Sequence, residues 1–319
     1  MPERHEEMLA QIASEYYLDN ESKVEIAKSH GISRFQVARY LDEARREGIV
    51  TITIRRPAAN PASGARLAAA LGIESVTIAP GAGDARDQLA RTAAGIVADV
   101  VTDGSRLGVS WSRTLQSMAG YLPDLPTCDV VQLAGSISVT GGGGSGSLIH
   151  RLGQVAGGRT WPLPAPLIVE SADTAASLRR QPEISDALHA ADDLDVAVVS
   201  LGDWVPGKST VYERVSPAQR KAATAAGAIA ECSGRLLAAD GAAADGGLDD
   251  CVIAVTLQQL ISTPQVVLVA PSEDGVAGVR AAVTAGIANH LVIGSELARH
   301  LGAELGLADE NPATDGATA

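Results

Sequence analysis

The chain has 319 residues, 46% of them hydrophobic but only 3% aromatic, and a formal net charge of −13. At about 100–200 residues per domain, this length predicts two domains with aliphatic cores. The acidity argues against a nucleic-acid surface spread over the whole chain, and no apolar run approaches the ~18–20 residues of a membrane span, so no membrane partner is expected. The opening MPERHEEMLAQ is charged and lacks the apolar core of a signal peptide. Cys128, Cys232 and Cys251 lie far apart with no CxxC pair and no histidine at ligand spacing. That pattern predicts buried, reduced thiols in the cytoplasm, no metal site and no cofactor.

Residues 4–18 place Met8, Leu9, Ile12, Tyr16 and Leu18 largely on one side of a predicted helix. Ser22 caps a second helix, with Glu25 as its reciprocal capping partner. Gly31 then supplies a turn that accepts positive φ, and Ser33 caps a third helix with Val37, Tyr40, Leu41 and Ala44 on its inner face. This is the pattern of a helix-turn-helix. A plain helical hairpin within a larger core is the alternative. Residues 31–56 hold six arginines against three acids, which favours the DNA-binding reading. Its candidate contacts are Ser22, Lys23, Ser33, Arg34, Phe35, Gln36, Arg39, Tyr40 and Arg55. Arginine to guanine and glutamine to adenine are the geometrically favoured pairs, so Gln36 is read as a specificity residue and Arg55 as a phosphate contact.

Gly48 ends the third helix, and IVTITIRR (49–56) alternates as a short strand or wing. Residues 1–56 carry −1 and the remainder −12. DNA contact must therefore be local to the first unit, which points to an oligomer presenting several copies. The stretch PAANPASG (57–64) reads as a linker. The predicted domains are 1–56, the linker 57–64, an α/β body over 65–308 and a disordered tail over 309–319.

From Ala65 the pattern alternates between helices and strands. Strands are predicted at 75–80, 106–110, 129–135, 167–171, 196–201, 264–271 and 290–295, with further strand and turn at 235–241. Val/Ile/Leu-rich strands between helices predict an α/β fold with a mostly parallel sheet covered on both faces. Ligands of such sheets bind beyond the carboxyl ends of the strands. There LGVSWSRTL (107–115) runs from a strand into Ser110, Trp111, Ser112, Arg113 and Thr114 at a helix start, suited to a polyol or an anion. Gly135 and Ser136, Glu170, and Gly202 and Asp203 end three further predicted strands. Asp250 and Glu273 complete the candidate effector-binding set. Gly141–Gly144 lacks the lysine and hydroxyl of a P-loop and reads as a flexible loop. Arg113 is the one cation expected in these loops. No nucleophile elbow or histidine–carboxylate set suggests a catalytic residue, and the histidines are scattered.

ISRFQVARYLDEARREGIV (32–50) resembles the SorC family of bacterial transcriptional regulators. So do LGVSWSRTL, DVVQLAGS, PLPAPLIVES, DVAVVSLGDW, CSGRLLAADG, LDDCVIAVTLQQL and VRAAVTAGIANHLVIGSELARHL, in order along nearly the whole chain. The resemblance implies an N-terminal helix-turn-helix and a C-terminal sugar-binding domain similar in fold to the sugar-phosphate isomerase and glucosamine-phosphate deaminase group. It also implies a tetramer, operator DNA near a carbohydrate operon, and a sugar, polyol or phosphosugar effector. Where the family often carries Gly-Gly-x-x-Lys, with the lysine on the effector phosphate, this chain has Pro271-Ser272-Glu273-Asp274-Gly275. Its Ala230-Glu231 stands where Gly-Asp is usual. Both departures favour an unphosphorylated sugar or polyol. An enzyme of the isomerase or deaminase type is the competing function, since fold alone cannot choose between them.

Overall fold

A computed structural model describes residues 2–50, 61–81, 84–137, 145–244 and 246–307. The predicted strand at 49–56, Arg55, the loop at Gly141–Gly144 and the tail at 309–319 lie wholly or mainly outside the described residues. The chain divides into two compact units, Met1–Pro57 and Ala58–Ala319.

The first unit is built from α1 (Pro2–Tyr17), α2 (Lys23–Ser29) and α3 (Arg34–Arg46). Both short helices begin in full capping boxes, Ser22 with Glu25 and Ser33 with Gln36. Each box satisfies two backbone N–H donors that a bare helix end would leave open. Gly31 takes φ +65° between the two helices, and Gly48 takes φ +77° after α3. Leu9, Ile12, Ile26, Val37, Leu41 and Ala44 form a closed core. Two histidines tie α1 to the rest. His30 Nε2 lies 2.7 Å from Glu15, and His5 Nε2 lies 3.0 Å from Glu43.

The second unit is a sheet between two layers of helices. Its strands are β1 (Ser75–Ile78), β2 (Arg106–Val109), β3 (Cys128–Gln132), β4 (Gly157–Trp161), β5 (Val196–Asp203), β6 (Ala228–Cys232), β7 (Arg235–Ala238), β8 (Gln265–Ala270) and β9 (His290–Ile293). Seven of them form one parallel sheet in the order β1-β9-β8-β5-β2-β3-β4. The antiparallel hairpin β6–β7 extends β5, with Leu201 opposite Cys232 and Asp203 opposite Ala230. The helices are α4 (Pro61–Leu71), α5 (Ala85–Val100), α6 (Arg113–Met118), α7 (Ser145–Ala156), α8 (Ala172–Arg179), α9 (Pro182–Ala190), α10 (Thr210–Arg214), α11 (Pro217–Ala225), α12 (Leu257–Ser262), α13 (Val276–Thr284) and α14 (Ser295–Glu304). Strand residues alternate between the two layers. Val198 and Val267 join Leu89 of α5, Leu115 of α6 and Leu152 of α7. Val199 and Leu268 join Leu67 of α4, Val279 of α13 and Leu301 of α14. Burial on both faces is why these strands read as continuous apolar runs.

Two expectations need correction. Residues 167–171 form no ladder strand, because Pro166 and Ile168 make only isolated bridges, to Ser136 and Val252. The sheet edge is instead β4, whose GGRTW carries no hydrophobic signal. The stretch 57–64 is not all linker, since Pro61–Gly64 open α4. Proline is favoured at a helix start, and Gly64 lets α4 lie directly on β1.

That close approach sets a test. A Cβ on Gly64 would meet the Val76 carbonyl oxygen at 2.3 Å, whereas a Cβ on Gly95, inside α5, meets nothing within 4 Å. Gly95→Ala should raise stability by about 0.5–1 kcal/mol through helix propensity alone. Gly64→Ala should lower it by about 1–3 kcal/mol through overpacking. Thermal melts of both variants check the pair, and equal shifts of the same sign would contradict the packing described.

Candidate functional site

At the carboxyl edge of the sheet the chain reverses direction between β2 and β5. The connection from β2 leads outward to β3, while that from β5 leads to β8 on the other side. Such switch points open a crevice in doubly wound sheets. Ser110 lies at it, buried, with its N–H donating to the Val198 carbonyl at 3.0 Å. Ser112 caps α6, accepting from Leu115 N–H at 3.1 Å. Thr114 is buried and Arg113 is exposed. Trp111 is half-buried and packs on the α5–α7 core, and its indole N–H is buried with no hydrogen-bond partner among the described residues. Val109, Ser110, Trp111, Gln132 and Leu148 line a tight, mostly apolar crevice here, too narrow to hold a water molecule. Gln132, not anticipated from the sequence, is buried and braces its far wall. It donates to the Ala134 carbonyl at 2.8 Å and accepts from Leu163 N–H at 3.2 Å.

On the β5 side, Asp203 is held rather than free. Ser272 Oγ donates to its Oδ2 at 2.6 Å. Its Oδ1 lies where a Cβ on Gly275 or Gly278 would come within 3.2 or 3.3 Å, so the carboxylate rests on the first turn of α13. A helix N-terminus stabilises such an anion. Lys208 stands beside it, 3.2 Å from Asp274 and 3.8 Å from Asp203. The expectation that Arg113 is the one cation in these loops is therefore wrong. Lys208 lies five residues beyond Asp203 in sequence and reaches a loop 66 positions on, which no local pattern announces.

The remaining candidates are placed differently. Gly135 is a packing residue, since a Cβ there would sit 2.7 Å from Pro166 and Leu167 backbone atoms. Ser136 is exposed, and its N–H donates to the Ala165 carbonyl at 2.7 Å. Glu170 is exposed and ends no strand, because 167–171 lies outside the parallel ladder. Asp250 is exposed in a short 3-10 turn, where its carbonyl accepts from Arg179. The Glu273 side chain is exposed, while its carbonyl contacts His300 Nδ1 at 2.9 Å. Gly202 is needed for space, with a Cβ there lying 2.7 Å from Glu231 Oε1. Glu231 is buried and accepts from Ser209 Oγ at 3.0 Å and Gly234 N–H at 3.1 Å. Burial pushes its carboxyl up to about 7, against the two hydrogen bonds, which favour the ionised form.

In the first unit, Arg34, Phe35 and Arg39 are exposed on α3. Lys23 lies over Tyr16, and Tyr40 packs edge-on against His5. Ser22 and Ser33 are helix caps. Gln36 is also structural, because its Oε1 accepts from Ser33 N–H at 3.0 Å. A bidentate pair with adenine needs both ends of the amide, and here the acceptor end already takes one bond from the cap. The Ser-x-x-Gln spacing is itself the capping-box signature, so this role was visible in the sequence.

Residues 57–301 match the family described as "Putative sugar-binding domain". The chain is 28% identical over 302 residues to the transcriptional regulator LsrR of Enterobacter sp. (strain 638), covering 92% of each chain. It is 26% identical over 312 residues to the deoxyribonucleoside regulator of Bacillus subtilis (strain 168), covering 94% of this chain and 99% of that one. In fold it is similar to the full-length sorbitol operon regulator SorC from Klebsiella pneumoniae, with a TM-score of 0.70, 19% identity, and 93% and 98% of the two chains covered.

The buried carboxyl of Glu231 makes stability depend on pH. Its pKa lies above the 4.5 of the unfolded chain, so between about 4.5 and 7 the folded protein holds a proton that the unfolded chain has released. The stabilising contribution is full below that window and is lost as pH rises through it, by about 3 kcal/mol at most. Glu231→Gln should remove this loss. Relative to the parent, the variant should gain stability between pH 5 and pH 8 in urea melts. A difference that stays constant over that range would contradict the assignment.

Proposed function

The chain belongs to the SorC family of sugar-binding transcriptional regulators, and from that premise we propose that it controls a carbohydrate or polyol operon through an unphosphorylated effector. Its curated relatives are regulators rather than enzymes, and the chain is read likewise. α2 and α3 form the helix-turn-helix, with the N-terminal turn of α3 directed at the major groove. Arg34, Phe35 and Arg39 are its base-facing side chains, and Lys23 lies beside the backbone. A unit with so few cations, attached to an acidic body, makes few phosphate contacts per copy. That supports a homo-oligomer, a tetramer in our reading, whose copies add their contacts. Such a role places the protein in the cytoplasm with the DNA. Among the described residues, no helix is long and apolar enough to cross a membrane.

The observation that carries the effector class is the position of Asp203. Its carboxylate already occupies the start of α13, and Asp274 and Asp203 together engage Lys208. An incoming phosphate dianion would meet negative charge there. A neutral sugar or polyol would meet hydroxyls at Ser110, Ser112, Thr114 and Ser272, a carboxylate acceptor at Asp203 and the unpartnered indole N–H of Trp111. Each of these suits a neutral hydroxyl. Glu170, Asp250, Ser136 and Glu273 are outer residues of the same edge in this reading.

Calorimetry with sugars and polyols against their matched phosphates tests it, with operator binding followed in parallel. An unphosphorylated member should bind at least ten-fold tighter than its phosphate and should change operator affinity. Tight binding of phosphorylated members alone would overturn the effector class. Titrations that bind but leave DNA affinity unchanged would overturn the regulatory coupling.

A further inference from the structure

The chain contains a single phenylalanine, and the fold places it in water. Phe35 is 73% exposed at the second position of α3, while smaller apolar residues fill the core of that unit. Burying such a side chain is strongly favourable, and here that stabilisation is not taken up within the unit. The ring is not idle, however. The Arg34 guanidinium carbon lies 5.0 Å from its centroid, a cation–π arrangement that restrains the side chain against one face.

The neighbouring side chains narrow what the ring can do. Val37 is buried in the core and Gln36 is engaged in the Ser33 cap. Base reading at this end of α3 therefore falls to two chemistries, a guanidinium and an apolar ring. The major groove offers one apolar feature on a base edge, the thymine C5-methyl group. Resting on the DNA-binding reading above, we propose that Phe35 reads a thymine methyl in each half-site.

The test uses the full-length protein and does not require a known operator. A duplex is first selected from a random library, and each thymine in it is then replaced singly by deoxyuridine, which pairs identically but lacks the methyl. The parent should lose about four-fold in affinity at one thymine per half-site, the equivalent of ~0.8 kcal/mol for one buried methyl-sized group. 5-Methylcytosine with guanine opposite shows whether the methyl alone is sufficient, and should restore part of the affinity lost with cytosine at that position. Phe35→Ala should bind more weakly and become indifferent to thymine against deoxyuridine, while Phe35→Leu should retain the difference. The exposed position makes both variants compatible with folding. A parent indifferent to every deoxyuridine, or a Phe35→Ala variant with the parent's thymine preference, would overturn the inference and leave DNA binding standing. Failure to enrich any sequence would overturn the DNA-binding reading, and this inference with it.

Discussion

The pairing of β2 with β5 is the constraint on which the body depends. Leu107–Val109 lie beside Val196–Val198, almost ninety residues away in sequence, and they join β1-β9-β8-β5 to β2-β3-β4 in one sheet. The chain leaves the two strands on opposite sides, outward to β3 from β2 and through the β6–β7 hairpin to β8 from β5. The Ser110 N–H bonded to Val198 extends the ladder one step further, so the Ser110–Thr114 segment starts from a fixed point. The crevice and its polar wall follow from topology before any ligand is considered.

Electrostatics then decide what that edge accepts. A helix N-terminus beside a lysine is suited to phosphate. Here Asp203 lies against the first turn of α13, and Lys208 is paired with Asp274. Ser272 holds the Asp203 carboxylate in place. Beneath it, Glu231 occupies a space that only a glycine at 202 leaves open. The carboxylates are thus arranged in depth, one buried and hydrogen-bonded and one at the rim.

How much of this could be read from the sequence depends on the range of the interaction. The α2–α3 pair rests on contacts between residues three or four apart, with Ser22, Glu25, Gly31 and Ser33 as its signals, and it was legible. The parallel strands were legible because burial on both faces leaves long runs such as VAVVSL and QVVLVA. β4 was not, since an edge strand with two glycines and an arginine lacks both alternation and a hydrophobic run. Residues 167–171 look like a strand because they are alternately buried, yet they pack in an irregular layer over Ala134 and Val252. Lys208 was missed because its nearer partner, Asp274, lies on a distant loop. Gln36 completes the capping box of α3, a second role that the Ser-x-x-Gln spacing announces and the groove-facing reading passed over.

The claim that the β2–β5 edge seats the effector is tested most directly by hydrogen exchange on the full-length protein, with and without the tightest-binding unphosphorylated sugar from the titrations. The account predicts slowed exchange in two separate segments, residues 110–116 after β2 and 271–278 after β8, which flank β5 at that edge. Protection confined to other parts of the body, with both segments unchanged, would contradict it.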